Sequence, residues 1–149
     1  MFSRLISVTL WTILVSQVFV ACGRQAPEYE VVEVQGEFLD LGLSSESIPP
    51  VRFYTYKSDG RNVNFFVRKD REGTLRTHFD ACYSCFKYKL GYVPEGNEVV
   101  CRACRIGYDL DEPIWDFVGP CAPLTLSSKA SAGRIRIKKR DLEKGTQFF

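Results

Sequence analysis

The chain has 149 residues, with 20 Lys and Arg against 18 Asp and Glu, one histidine and six cysteines. This length predicts one globular domain, and the formal net charge of +2 gives no electrostatic reason to expect a nucleic acid as partner. A single histidine excludes any site that needs two imidazoles. The distinctive chemistry of the chain is therefore expected to come from its thiols.

The first 21 residues have the features of an export signal. Arg4 supplies a positive charge, and residues 5–21 form an apolar run that several polar residues interrupt. The run is short for a membrane span, which needs about 20 apolar residues, and it fits the hydrophobic region of a secretory signal. It ends with a small residue before Cys22, which resembles a bacterial lipobox. An uncleaved anchor and a plain signal peptide are the alternatives.

This N-terminus predicts the organisation of the chain and its location. Residues 1–21 are predicted to be a lipoprotein signal peptide, residues 22–37 a tether that leads into the fold, and residues 38–149 the metal-binding domain. A lipid on Cys22 would anchor the protein to the membrane. We therefore expect it in the bacterial cell envelope, on the periplasmic side or at the cell surface.

Alternation of apolar and polar residues predicts a mostly β domain. Period-two patterns indicate strands, over residues 51–56, 62–68, 74–79, 98–101 and 134–137. Short turns rich in Asp and Gly join the first three, which predicts an antiparallel meander. Residues 141–145 read as one helical turn that Gly145 ends. The basic stretch 134–140 is interpreted as a half-buried strand with a solvated face, in preference to a site for phosphate or anionic lipid.

Two C-x-x-C motifs carry the strongest functional signal. Cys82 and Cys85 form the first pair, and Cys101 and Cys104 form the second, after a gap of 15 residues. Such a pair forms a knuckle, in which two sulfurs point at one centre, and two knuckles complete a tetrahedral sulfur cage for zinc or thiolate-held iron. The gap is long enough for one hairpin, over residues 90–100. The motifs therefore predict a metal site with these four cysteines as ligands.

Other interpretations of the two motifs remain. An exported chain meets an oxidising compartment, so disulfides between the two pairs are an alternative. Thiol redox catalysis is less favoured, because residues 86–91 do not resemble the helix that such a motif normally opens. Attachment of haem is excluded, because Phe86 and Arg105 stand where C-x-x-C-H needs a histidine.

Three further features are assigned less sharply. Cys121 is an additional ligand, a thiol close to the site, or a small buried side chain. His78 is expected to be a half-exposed strand residue more than a ligand. Tyrosines could mark a docking patch, although packing within the strands is favoured; they are Tyr54, Tyr56 and Tyr83.

The spacing of these residues resembles the FtrD-like membrane iron–sulfur family, which includes bacterial lipoproteins encoded near iron-uptake genes. The resemblance covers about residues 38–149. It is carried by the run from Phe79 to Cys85, by residues 91–104, by Gly119, Cys121, Pro123 and Leu124, and by the C-terminal segment from Ile137 to Phe149. It implies that Cys82, Cys85, Cys101 and Cys104 hold an iron–sulfur cluster, with Cys121 close by. One departure lies at residues 118–123, where the family usually has Gly-Gly-Cys-Asn-Pro.

A more distant resemblance is to Rieske domains. Residues 101–109 and 119–124 are similar to their second cluster loop and proline loop, which implies a Rieske-like or rubredoxin-like fold with two knuckle hairpins. Cys85 and Cys104 stand where Rieske domains have histidine. Ligation by thiolates alone implies a reduction potential below the Rieske range.

Coordination chemistry leaves the metal open. Four thiolates suit an iron–sulfur cluster, zinc or a single iron, and basic residues would offset their charge: Lys87, Lys89, Arg102 and Arg105. The chain lacks a twin-arginine signal, and export of an unfolded chain favours an ion that loads afterwards. The family resemblance favours the cluster. The prediction is a membrane-anchored electron carrier, not an enzyme, that serves an iron-transport or respiratory membrane protein; the alternative is a structural zinc-ribbon module.

Overall fold

The computed structural model describes residues 26–43, 49–112 and 119–149. The predicted signal peptide, Cys22 and the first part of the predicted tether lie outside these residues. Within the described ranges, no helix combines the length and apolar character needed to cross a bilayer.

The described residues form ten strands and a short C-terminal helix. The strands are β1 (Tyr29–Val32), β2 (Phe38–Gly42), β3 (Val51–Ser58), β4 (Arg61–Lys69), β5 (Leu75–Phe79), β6 (Tyr92–Glu95), β7 (Glu98–Cys101), β8 (Gly107–Asp109), β9 (Lys129–Ser131) and β10 (Arg134–Lys138). The helix α1 covers Lys139–Glu143, and 3-10 turns cover Phe86–Tyr88 and Lys144–Phe148. The predicted mostly β class, with antiparallel sheets and one short C-terminal helix, is confirmed.

The strands form three sheets. The first has the order β1-β3-β4-β5, the second β2-β10-β9 and the third β6-β7-β8. The predicted meander is β3-β4-β5, whose neighbours pair antiparallel. Strand β1 adds to it in parallel, with Tyr29 opposite Phe53. The alternation pattern predicted the three antiparallel strands of this sheet, and it did not predict that β1 would extend the sheet.

The first sheet is covered on both faces. Successive side chains of a strand point to opposite faces, and Phe65 belongs to a core shared with the second sheet, whereas Phe66 belongs to a core shared with the third. Both phenylalanines are fully buried. The second core also contains Cys82, Cys101 and Cys121. The thiols therefore lie between the first and third sheets.

The basic strand β10 alternates as predicted. Its isoleucines, Ile135 and Ile137, are fully buried, and its basic side chains face outward. Every second position of the strand thus places an isoleucine in the core, as a half-buried strand requires.

The C-terminal segment differs from the sequence prediction. The helix begins at Lys139, and Gly145 does not end the helical segment, because 3-10 turns continue to Phe148. A Cβ at position 145 would lie 2.3 Å from Cε1 of Phe79. The glycine is needed here for close packing on strand β5. The ring of Phe148 then packs near Phe79 and Phe86, with centroids 6.0 and 5.6 Å away, so the C-terminus covers the first knuckle.

Candidate metal centre

The first knuckle (Cys82–Cys85) begins three residues after β5 ends. The backbone N–H of Cys85 donates to the Cys82 sulfur at 3.2 Å, and the N–H of Phe86 donates to the carbonyl of Cys82 at 3.0 Å. A tight turn with an N–H pointing at the sulfur stabilises negative charge on that sulfur. The sequence therefore builds a turn suited to a metal-bound thiolate.

The second knuckle (Cys101–Cys104) begins at the last residue of β7. The N–H of Arg105 donates to the carbonyl of Cys101 at 2.9 Å, and the N–H of Cys101 donates to the carbonyl of Ile106 at 2.9 Å. Arg105 has a φ of 65°, the left-handed conformation that closes this turn. Backbone N–H groups of Ala103 and Cys104 point at the Cys101 sulfur, as in the first knuckle.

The predicted hairpin between the knuckles is strands β6 and β7, with Tyr92 opposite Cys101. The two knuckles also contact each other directly. Arg102 donates its backbone N–H to the carbonyl of Gly91 at 3.0 Å and its Nη1 to the carbonyl of Leu90 at 2.9 Å. These bonds hold Leu90 and Gly91, in the segment that follows the first knuckle, against the second knuckle.

A third segment brings Cys121 to the same place. Its sulfur lies 2.7 Å from that of Cys104 and 3.3 Å from that of Cys85. The hydroxyl of Tyr92 donates to the carbonyl of Cys121, and the hydroxyl of Ser84 donates to the carbonyl of Pro120. These bonds fix the loop on strand β6 and on the first knuckle, and Cys121 lies beside the knuckle thiols.

Five thiols thus converge, one more than the two motifs contribute. The sulfurs of Cys82, Cys85, Cys101 and Cys121 all lie within 4.8 Å of one another, and Cys104 contacts this group through Cys121. All five are free thiols. The described residues therefore contain no disulfide of the kind that the alternative interpretation requires. A set of sulfur donors at this spacing fits an iron–sulfur cluster, zinc or a single iron.

The surroundings act differently on the individual thiols. Burial raises the pKa of the Cys101 thiol to about 12, and burial likewise raises the pKa of Cys121. At Cys104 desolvation opposes ionisation, but hydrogen bonds from the Cys121 thiol and the N–H of Ile106 outweigh it, and its pKa is lowered. Metal binding requires thiolates and so releases protons from the buried sulfurs.

Asp80 supports the site from within the core, a role that the sequence analysis did not predict. The N–H of Tyr92 donates to its Oδ1 at 2.7 Å, and the Tyr29 hydroxyl donates to its Oδ2 at 2.5 Å. Gly91 has a φ of 66°, and a Cβ there would lie 2.2 Å from Oδ2. The carboxyl therefore joins β1 to the segment between the knuckles, two residues before Cys82. The signal that the sequence offered was the position of Asp80, two residues before the first motif.

His78 corrects one expectation. It was predicted to be half-exposed, but it is 1% exposed, because the third sheet covers its face of the first sheet. Its ring stacks on Phe66, with the centroids 5.3 Å apart, and its Nε2 accepts from Nε of Arg68 at 3.4 Å. Burial and the neighbouring arginines lower the pKa of His78 to about 3. The histidine is a neutral core residue outside the group of close sulfurs.

The three tyrosines named in the sequence analysis differ in their burial. Tyr54 and Tyr56 are buried in the core between the first and second sheets. Tyr83, in the first knuckle, is 74% exposed. Only this last tyrosine of the three is available to a partner.

Fold and site together define a small β protein with a thiolate metal centre. The comparison with protein families makes this more specific. The model of a protein family described as "membrane iron–sulfur containing protein FtrD-like" matches residues 49–149, more than half of the chain. The chain belongs to the FtrD-like family. No curated protein and no solved structure matches it.

The family match confirms two of the predictions. The resemblance to FtrD-like proteins is confirmed, whereas the Rieske resemblance stays a prediction. The prediction of an iron–sulfur cofactor is confirmed to the extent that the family contains one and that four cysteines lie close together, as a cluster or a metal ion requires. The family is also one of membrane-associated proteins.

Proposed function

We propose that this protein is an electron carrier that passes single electrons through an iron–sulfur cluster held by its cysteines. The observation that carries the proposal is the convergence of five thiols from three segments in a chain of an iron–sulfur family. The cluster would supply one-electron redox chemistry. The protein would hold the cluster, offset the negative charge of its thiolates and leave the cluster accessible at one ligand.

The proposed ligands are the four knuckle cysteines: Cys82, Cys85, Cys101 and Cys104. Backbone N–H groups directed at the sulfurs of Cys82, Cys101 and Cys104 support the assignment, since hydrogen bonds to the sulfurs stabilise a cluster and set its potential. Cys121 is proposed as a hydrogen-bond donor to the ligand Cys104. Its burial and its distances from the other sulfurs make it the competing ligand.

The open edge is at Cys104. This residue is exposed, whereas Cys82, Cys101 and Cys121 are buried. A cluster that reaches the surface through one ligand can exchange electrons with a docked partner while its other sulfurs stay shielded from water. Arg102 and Arg105 lie next to this ligand in the chain and would offset the negative charge of the thiolates.

The cellular setting is proposed from the N-terminus and from the family. Lipid on Cys22 would hold the domain at the membrane on the periplasmic side of the bacterial envelope or at the cell surface. The partner would be a membrane protein of iron transport or of a respiratory complex. No catalytic role is proposed.

Anaerobic isolation of the full chain from membranes tests the proposal. We expect visible absorption, and iron and acid-labile sulfide in equal amounts. A colourless protein with one zinc per chain would overturn the proposal in favour of the structural zinc-ribbon alternative, since four thiolates bind zinc equally well. Iron without sulfide would point to a mononuclear centre and would also contradict it.

A further inference from the structure

Exposed apolar side chains are concentrated on the two knuckles and on the residues that directly follow them. Of the five large apolar side chains that are exposed in the described part of the chain, four lie there: Tyr83, Tyr88, Leu90 and Ile106. Single exposed apolar residues are ordinary on protein surfaces. A group of them around a functional site indicates an interaction surface.

Hydrogen bonds hold the segments that carry these side chains together. Arg102 Nη1 donates to the carbonyl of Leu90 at 2.9 Å, which links the two knuckles. The Ser84 hydroxyl donates to the carbonyl of Pro120, which links the first knuckle to the loop of Cys121. We call residues 83–90, 102–106 and 119–120 the knuckle face. The exposed Cys104 belongs to it.

The knuckle face is basic. Its segments 83–90 and 102–106 contain Lys87, Lys89, Arg102 and Arg105 and no acidic residue. The arginines are engaged within the fold, because Arg102 bonds the carbonyl of Leu90 and Arg105 is paired with Glu95 at 2.7 Å. The lysines are exposed, and the Lys87 ammonium lies 5.2 Å from the Tyr88 ring centroid. Positive charge therefore surrounds exposed apolar groups beside the exposed thiol.

The geometry points to the knuckle face as the docking surface for an electron-transfer protein that presents acidic residues around an apolar contact. This inference rests on the proposed function and names the chemistry of its partner. Complementary charge speeds encounter and fixes orientation, and a small apolar contact suits a short-lived complex. A cluster held by the cysteines would exchange one electron with the redox centre of the partner, with no bond formed and no proton moved.

A bilayer with anionic lipids would also attract lysines and tyrosines. The position of Cys104 favours a protein, because a face pressed against lipid would close the exposed edge of the centre to electron exchange.

Inorganic oxidants of opposite charge test the docking face without knowledge of the partner. The full chain, reduced and freed of reductant, is mixed with hexacyanoferrate(III) or with hexaammineruthenium(III), and the oxidation rate is followed by absorption. We expect the anionic oxidant to react faster as ionic strength falls. Joint replacement of Lys87→Glu and Lys89→Glu should slow it about tenfold and should speed the cationic oxidant.

A second double variant makes the same change of charge elsewhere. Arg134→Glu with Lys138→Glu reverses two exposed basic residues of β10 and should leave both rates within about twofold. Equal rates for the two double variants, with an intact cluster spectrum, would overturn the docking face and leave the electron carrier standing. Absence of a reducible cluster in the wild-type chain would instead overturn the proposed function, and the inference with it.

Vesicles distinguish the membrane from a protein partner. Because the proposed anchor is the lipid on Cys22, the lipidated chain, from which the predicted signal peptide has been removed, is reconstituted in phosphatidylcholine with and without phosphatidylglycerol. If the anionic lipid leaves the hexacyanoferrate(III) rate of the wild type within twofold of that of the Lys87→Glu, Lys89→Glu variant, the face binds lipid and the inference fails. A lysine-dependent rate that survives in anionic vesicles supports it.

Discussion

The sulfurs of Cys104 and Cys121 lie 2.7 Å apart, although 17 positions separate the two residues in the chain. Cys104 is exposed and Cys121 is buried. In this structure the Cys104 thiol donates to the Cys121 sulfur. If Cys104 binds the cluster as a thiolate it has no proton to donate, and the Cys121 thiol would then donate to it. We therefore expect Cys104 and Cys121 to have different roles, the first as a ligand and the second as a hydrogen-bond donor to it.

Replacement of single cysteines tests these roles. Serine at Cys82, Cys85, Cys101 or Cys104 should abolish the visible absorption of the cluster, because each substitution removes a ligand. Cys121→Ala should retain the cluster with a lower midpoint potential, because a hydrogen bond to a ligand sulfur is lost, and Cys121→Ser should restore the potential in part. The measurements are absorption and a redox titration.

The opposite pattern would contradict the ligand assignment. If Cys104→Ser kept the cluster and Cys121→Ala lost it, the ligands would be the four mutually close sulfurs that include Cys121.

The hydrogen bond from Tyr29 to Asp80 is expected to stabilise the attachment of strand β1. Tyr29→Phe removes the hydroxyl that donates to the buried carboxyl at 2.5 Å. Loss of a hydrogen bond to a buried polar group costs about 1–3 kcal/mol, and urea unfolding measures the change. The control is Tyr88→Phe, whose ring is 57% exposed and which should change the free energy of unfolding by less than about 0.5 kcal/mol. Equal effects of the two substitutions would disprove a role for the bond.

Close packing of Gly145 on Phe79 predicts a cost for any side chain. The Cβ of Gly145→Ala would lie 2.3 Å from the Phe79 ring, so the C-terminal segment must shift, at a cost of about 1–3 kcal/mol in thermal or urea unfolding. Gly42→Ala is the matched control, because a Cβ there meets nothing within 4 Å. A stabilising effect at position 145 would show that this glycine has no packing role.

His78 predicts how stability depends on pH. Its pKa is lowered to about 3 in the fold by burial, whereas an unfolded chain binds the proton near pH 6.5. Between these values the unfolded state binds the proton of His78 and the folded state does not, so the contribution of this residue to stability falls as the pH is lowered. From pH 6.5 to pH 5 this loss is about 1.7 kcal/mol. Burial raises the pKa of Asp80 to about 7, so this carboxyl gives a contribution of opposite sign over the same range.

The contribution of His78, the only histidine of the chain, is isolated by comparison of the wild type with His78→Gln. The difference in free energy of unfolding between the two should change by about 1.7 kcal/mol between pH 6.5 and pH 5, as judged by urea unfolding across that range. A difference that stays constant over this range would show that the histidine is not held neutral.

Local features of this fold could be predicted from the sequence because they depend on neighbours in the chain. Two residues between paired cysteines suffice to form a knuckle, and the alternation in Arg134–Lys138 suffices to give a strand with one buried face. The hairpin between the knuckles follows from the turn that separates two short apolar runs.

The remaining features depend on contacts between distant segments, and only the tertiary structure decided them. The burial of His78 follows from a third sheet packed on its face, and the role of Asp80 from a tyrosine 51 positions earlier in the chain. Cys121 joins the other thiols because hydrogen bonds from Ser84 and Tyr92 fix its loop on the first knuckle and on strand β6. The chain by itself specified which sulfurs form pairs; packing of the sheets specified that a fifth sulfur would meet them, since spacing along a chain carries no information about which remote loop fills the space beside it.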